Sequence, residues 1–445
     1  MRSPSPIGRG SGVPPLPPLV RAVARPLAAF FRLEAASAIL LLGAAVAALA
    51  WANLAGESYR AVVHAPVALR AGPLVAAFTV RALVNDGLMT LFFFVVGMEI
   101  KHELAVGELR APSRAALPLV AALGGMIAPA AIYLAWNAGG PGAHGWGIPM
   151  ATDIAFAIGV LALLGSRVPH GLVVFVTALA IFDDIGGILV IALFYGSGLS
   201  LAWVGAAAAV AVALGALSRW HVRSGIAWAA GGAALWWTFH GAGLHATIAG
   251  VALGLLVPAR PRVPQGDVIA ALAAQAGTLA AEGGDEARAA EAVVAIEQAL
   301  EAREPVLGRL TALLHPWVAF GVVPAFALVN AGVELGGIGP DRLLGRVALG
   351  TATALVAGKL AGIFAFTGAA VKLRLAPLPG DAGWPRLAGA SAVAGIGFTV
   401  ALFIAGLAFP GRPDLLDEAK LGILAGSLVA GVAGALVLRA TPRVR

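Results

Sequence analysis

Six charged residues stand among apolar neighbours that leave them little access to water: Asp86, Glu99, Asp153, Asp183, Asp184 and Lys359. A charge at the centre of a bilayer costs at least about 2.5–3.5 kcal/mol on insertion scales, so charges retained there mark function by default. Asp183 and Asp184 are adjacent in Ala180-Ile181-Phe182-Asp183-Asp184-Ile185-Gly186. Neighbours on a helix point about 100° apart, so the pair cannot turn both carboxylates toward one partner. One can pair with Lys359, the one basic residue far from either end of a predicted span, while the other faces a wet site. A buried ion network that only fixes packing is the plainer alternative. Three aspartates against one lysine leave an excess of negative charge, which favours a site for a cation. Hard cations take oxygen ligands, and aspartate carboxylates with the Thr152 hydroxyl or backbone carbonyls supply them. Burial and a second nearby carboxylate both raise a carboxyl pKa. Such a group holds a proton near neutral pH and yields it to a metal cation.

Those residues need elements to hold them at depth. The chain has 445 residues, 60% hydrophobic and 12% charged, against roughly 25% charged in soluble domains. Apolar runs longer than about 18 residues recur along it and read as membrane spans. We place twelve helices at roughly 33–54, 83–105, 115–137, 148–165, 172–195, 200–218, 224–238, 241–257, 313–332, 343–371, 386–408 and 415–438. The 58 glycines fit helices packed closely in lipid. With the N-terminus in the cytoplasm, seven basic residues fall outside and Lys359 within a span, leaving 22 of the 30 inside. That asymmetry predicts both termini cytoplasmic. The net charge of +7 is spread over short loops, so no nucleic-acid partner is expected. There is no cysteine, which excludes disulfides and thiolate metal sites. Residues 1–32 lack a signal-peptide pattern and read as a cytoplasmic tail, 33–438 as the membrane domain and 439–445 as a C-terminal tail. Residues 56–82, with Pro66, Gly72 and Pro73, read as an external hairpin or loop and not a helix. Residues 259–310 form one long cytoplasmic connection carrying an acidic amphipathic helix over 282–304.

Two spans look broken. Gly145, Gly147 and Pro149 precede Asp153 in the fourth, and Ala394-Gly395-Ile396-Gly397-Phe398-Thr399 interrupts the eleventh. Interrupted helices expose backbone groups and half-helix dipoles, tolerated in a membrane only where they line a cavity. Interruptions in the middle of spans 3–5 and 10–12 suggest an inverted repeat, with the broken helices crossing at mid-membrane. Asp153 and Lys359 are placed to balance the exposed dipole ends.

These residues resemble the NhaA family of bacterial Na+/H+ antiporters. The likeness rests on Val84-Asn85-Asp86-Gly87-Leu88-Met89, Val96-Gly97-Met98-Glu99-Ile100-Lys101, Ala151-Thr152-Asp153-Ile154-Ala155-Phe156, Phe182-Asp183-Asp184-Ile185-Gly186, His245-Ala246-Thr247-Ile248, Leu314-His315-Pro316-Trp317, Gly358-Lys359 and Gly395-Ile396-Gly397-Phe398-Thr399. Inverted repeats and broken helices are a known property of that family, not a discovery about this chain. The resemblance implies an all-α inner-membrane protein that exchanges Na+ or Li+ for protons, electrogenically and under pH control. It is then a transporter and not an enzyme, with no cofactor beyond the transported ions. The resemblance implies that Asp184 is the principal cation- and proton-binding aspartate and that Asp183 pairs with Lys359. It also places Asp153 and Thr152 at the helix crossing. Glu99, Lys101 and Glu103 match the cytoplasmic funnel; Asp86 is grouped with them and His245 matches a residue linked to the pH response. The 56–82 segment matches a dimer contact, so a homodimer is expected, although its sequence is a poor hairpin. Two departures put the pH set-point in question: Thr311 stands where relatives carry Glu, and His102 where Arg is usual. A membrane aspartyl protease, a cation channel and a solute symporter are weaker readings. The paired-aspartate motif, the charge rings and the larger polar cavity that they respectively require are not apparent.

Overall fold

The computed structural model describes residues 18–71, 74–196, 198–261, 265–281, 291–297, 305–337, 344–380 and 382–442. Eight helices among them are long and apolar enough to cross a membrane. Two further spans are pairs of shorter helices: Pro141–Met150 with Ile154–Arg167, bent by 44°, and Trp384–Val393 with Phe398–Ala408, bent by 45°. The helices Gly225–Gly241 and Ala246–Leu256 occupy the remaining two of the twelve expected positions. The chain is therefore a polytopic membrane protein whose spans are all helical, with helices four and eleven interrupted.

Several boundaries differ from the sequence reading. The first helix begins at Pro18, well before residue 33. The fourth span begins at Pro141 because its glycine- and proline-rich first half folds as a 3-10 helix and not as a loop. The outer segment is a composite. Residues Gly56–Val63 are helical, which corrects the expectation of no helix there. After them Pro66–Ala71 pairs antiparallel with Leu74–Thr79, from Pro66 opposite Thr79 to Ala71 opposite Leu74, so a hairpin forms despite its weak signal. The Pro66 ring sits at the first position of its strand, where a missing N–H costs no ladder bond. Within the long connection, Gln265–Ala281 is a helix that the sequence reading left unassigned. The acidic helix expected over 282–304 lies largely outside the described residues.

Close backbone approach holds the spans together. A Cβ on Gly362 of the tenth span would lie 2.1 Å from the Gly124 carbonyl of the third. One on Gly254 of the eighth would lie 2.6 Å from the Met98 nitrogen of the second. Helices meet this closely in lipid only where both carry small residues. The third, fourth, fifth, tenth, eleventh and twelfth spans form one bundle; the second, eighth and ninth pack beside it, with the first bridging to the fourth.

Side-chain bonds sort the loops onto two faces. On one, Arg167 donates to the Arg439 carbonyl, Arg386 to that of Pro442 at 3.0 Å and Arg309 to that of Arg223. On the other, Tyr59 donates to Val329 at 2.9 Å, Asn53 to Val333 at 2.8 Å and Lys420 to Gly332 at 3.4 Å. We call these the basic face and the far face.

Candidate functional site

The site is built where the two broken spans meet. In the fourth, the backbone leaves the 3-10 helix at Met150, passes extended through Ala151 and Asp153, and restarts as an α-helix at Ile154. In the eleventh, the helix stops at Val393 and restarts at Phe398. Each break leaves carbonyls without partners at one helix end and N–H groups at the other. The two spans satisfy each other's loose ends. Asp153 N donates to the Ile396 carbonyl at 2.6 Å. The Thr152 hydroxyl lies 2.8 Å from the Ala394 carbonyl.

Asp153 caps both restarted helices. Its Oδ1 accepts from Phe156 N at 3.1 Å, and its Oδ2 accepts from Thr399 N at 3.0 Å and the Thr399 hydroxyl at 2.5 Å. A carboxylate at two helix N-termini meets two positive dipole ends at once. Lys359 does the converse. Its ammonium donates to the Met150 carbonyl at 2.5 Å, at the C-terminus of the 3-10 helix. It also reaches Asp183 Oδ2 at 2.5 Å and the Thr152 hydroxyl at 3.0 Å. Thr152 Oγ1 is 2.7 Å from the same Asp183 oxygen. Lys359 and Asp183 are both fully buried. A π turn over Ala354–Gly358 immediately precedes the lysine; single π turns of this kind recur at functional sites. Gly358 faces Pro129 so closely that a Cβ there would lie 2.7 Å away.

Asp184 is different. It is 5% exposed, and its Oδ1 has no hydrogen-bond partner among the described residues. It lies in the wall of a cavity of about 600 Å³. Thr152, Asp153 and Thr399 line the same deep end, while Glu99, Glu103 and the exposed His102 line it toward the basic face. Asp183 does not line the cavity. One helix thus turns one aspartate to the lysine and the next to a cavity. Thr311 also lines it; its hydroxyl faces Met98 Sδ at 3.8 Å.

The structure does not bring all the expected residues together. Lys101 is partly exposed and does not line the cavity, although Glu99 and Glu103 beside it do. Asp86 and His245 were grouped with the funnel and belong elsewhere. Asp86 precedes Glu99 by 13 residues on one helix, which sets them about 20 Å apart along the axis. The Asp86 carbonyl accepts from Trp236 Nε1 at 3.1 Å, and His245 Nε2 lies 2.7 Å from the Tyr195 carbonyl. Both sit toward the far face.

Two residues escaped the sequence reading. Thr399 was seen as part of a motif, but nothing in its type announced that it binds Asp153. Lys420, near the start of the predicted twelfth span, drew no notice in the sequence, yet it is 4% exposed. Lys359 is therefore not the only buried lysine. The i, i+3 spacing to Asp417, at 3.9 Å, was the available signal.

The match to known proteins is extensive. Residues 28–438 match the family described as Na+/H+ antiporter 1. An Anaeromyxobacter protein named Na(+)/H(+) antiporter NhaA is 62% identical over 97% of this chain and 94% of its own length. A Myxococcus xanthus protein named Na(+)/H(+) antiporter NhaA 1 is 55% identical over 96% and 95%. A Sorangium cellulosum protein named Na(+)/H(+) antiporter NhaA 2 is 47% identical over 95% and 92%.

Proposed function

We propose, for a chain that belongs to the Na+/H+ antiporter 1 family, that it exchanges Na+ or Li+ for H+ by letting cation and protons compete for Asp184. The observation that carries this reading is the Asp184 carboxylate itself: buried, with an oxygen unpartnered among the described residues, at the deep end of a cavity. An ionised carboxylate left so is costly unless a proton or a cation joins it.

The basic face is taken as cytoplasmic, with both termini there and the bilayer a bacterial inner membrane. Na+ then enters past Glu103 and Glu99 and displaces the proton from Asp184. The Thr152 hydroxyl, which lines the cavity, and Asp183, 2.7 Å from that hydroxyl, then turn to the cation as further oxygen ligands. Drawing Asp183 toward the cation removes the counter-ion of Lys359, whose buried ammonium then loses its proton. That is a route to a second proton, so two leave for each Na+ and the cycle moves charge. Rocking of the bundle about the crossed helices exposes the site to the far face, where the steps reverse. Asp153 pins the crossing and, lining the same cavity as Asp184, is a further binding group for the cation or a proton. Glu99, Lys101 and Glu103 set the pH response at the cytoplasmic mouth. Asp86 and His245 act on it from the far face. A second copy of the chain pairs through residues 56–82.

Everted vesicles test the exchange. A preformed pH gradient should collapse on adding Na+ or Li+ and hold on adding K+. A gradient indifferent to Na+ and Li+ removes the reading. As protons compete for the same oxygens, the apparent KM for Na+ should fall as pH rises.

A further inference from the structure

Between Asp184 and the basic face the cavity wall carries one hydroxyl on the same helix. Thr177, Ile181 and Asp184 line it at i, i+4 and i+7, one stripe of the fifth span. Seven residues are about two turns, so Thr177 lies about 10 Å from Asp184 toward the mouth. The second span presents a facing stripe of Phe92, Val95, Val96, Glu99, His102 and Glu103. Glu99 lines the same cavity as Asp184.

The Thr177 hydroxyl is not spent on its own helix. In mid-helix, serine and threonine commonly bond back to the carbonyl four residues earlier. Thr90, Thr351, Thr353 and Ser391 do so here, at 2.5–2.8 Å. Thr177 makes no hydrogen bond to any described residue, and its helix carries on undistorted. Thr247 and Thr367 also leave hydroxyls unpartnered, but neither lines the cavity.

We propose that the Thr177 hydroxyl is a ligand at an entrance subsite for Na+ or Li+, where the cation exchanges part of its water for protein oxygens before reaching Asp184. This rests on the antiport reading. The hydroxyl contributes a neutral oxygen and Glu99 supplies charge along the same cavity. A hydroxyl does not titrate in this range, so it favours the cation without holding a proton. It raises the occupancy of Na+ on the way to Asp184 at every pH.

The test uses the full chain in everted vesicles, with Na+ added to the exposed cytoplasmic side over a pH series. Thr177→Val keeps the shape and removes the oxygen; Thr177→Ser keeps the oxygen. Thr177→Val should raise the apparent KM for Na+ and Li+ roughly three- to tenfold, the size of one lost polar contact. Its maximal rate, and its pH profile at saturating Na+, should stay those of the unaltered chain, and Thr177→Ser should restore the KM. A KM within twofold of the unaltered chain in Thr177→Val overturns the proposal. So does a lowered maximal rate with unchanged KM, or an equal rise in Thr177→Ser, either of which marks a packing role. If the unaltered chain shows no Na+-driven proton flux, the antiport reading itself fails, a result distinct from all of these.

Discussion

At the scale of single residues, two adjacent aspartates have opposite surroundings. Asp183 has a lysine and a hydroxyl at hydrogen-bond distance; Asp184 has a cavity. That one of them would pair and the other face open space followed from the 100° between helical neighbours. Which did which came from the resemblance, because helical geometry is the same for both. Lys359→Ala leaves Asp183 buried without its counter-charge, a change typically worth about 3–5 kcal/mol. The purified variant should melt well below the unaltered protein. Asp183→Asn combined with Lys359→Gln removes both charges and should recover most of the loss. An unchanged melting temperature in Lys359→Ala would mean the pair contributes nothing to the resting state. Lys420 shows where reading by residue type failed. A lysine near a helix end looks solvated in sequence, and only the packing of the ninth span's end against it reveals that it is buried.

At the scale of elements, the glycine and proline clusters announced the two breaks, since neither residue supports a continuous ladder. They did not announce how far each half-helix extends. Gly142, Gly145 and Gly147 look like loop residues, but each is buried against a neighbour, and the 3-10 helix they form is shaped by those contacts. The partner of Asp153 was equally hidden, because Thr399 is 246 residues away. Thr399→Val removes one hydroxyl bond to a charged acceptor, worth about 1.5–3 kcal/mol. It should lower thermal stability measurably while leaving the Phe156 cap in place; a melting temperature equal to that of the unaltered chain would contradict the shared cap. Close packing makes a second, sharper case. Gly362→Ala puts a methyl 2.1 Å from the Gly124 carbonyl and must force the helices apart, whereas Gly43→Ala meets nothing within 4 Å. The first should destabilise strongly and the second be neutral. Equal effects of the two would show that the tenth and third spans do not pack as described.

At the scale of the whole molecule, most of the spans were legible by length and apolarity, eight of them as single long helices among the described residues, whereas Gly225–Gly241 and Ala246–Leu256 fall short of a full span. The hairpin was harder, since a two-stranded ribbon is marginal alone and Pro66, Gly72 and Pro73 weaken its strand pattern. Deleting residues 66–79 should convert the proposed dimer to monomer on native gels while Na+-driven proton flux persists. A dimer surviving the deletion would place the contact elsewhere. The proposed ratio of two protons per Na+ makes exchange respond to an imposed membrane potential with pH held fixed; indifference would mean one-for-one exchange.

The central claim is that Na+ and H+ compete for one carboxylate, Asp184, and proton release on cation binding reads it directly. Purified protein in weakly buffered detergent solution should release protons when Na+ is added and take them up when Na+ is removed. Asp184→Asn, folded to the same melting temperature within a few degrees, should release none. Proton release from Asp184→Asn equal to that of the unaltered protein would contradict the account, since the competition would then lie at some other group.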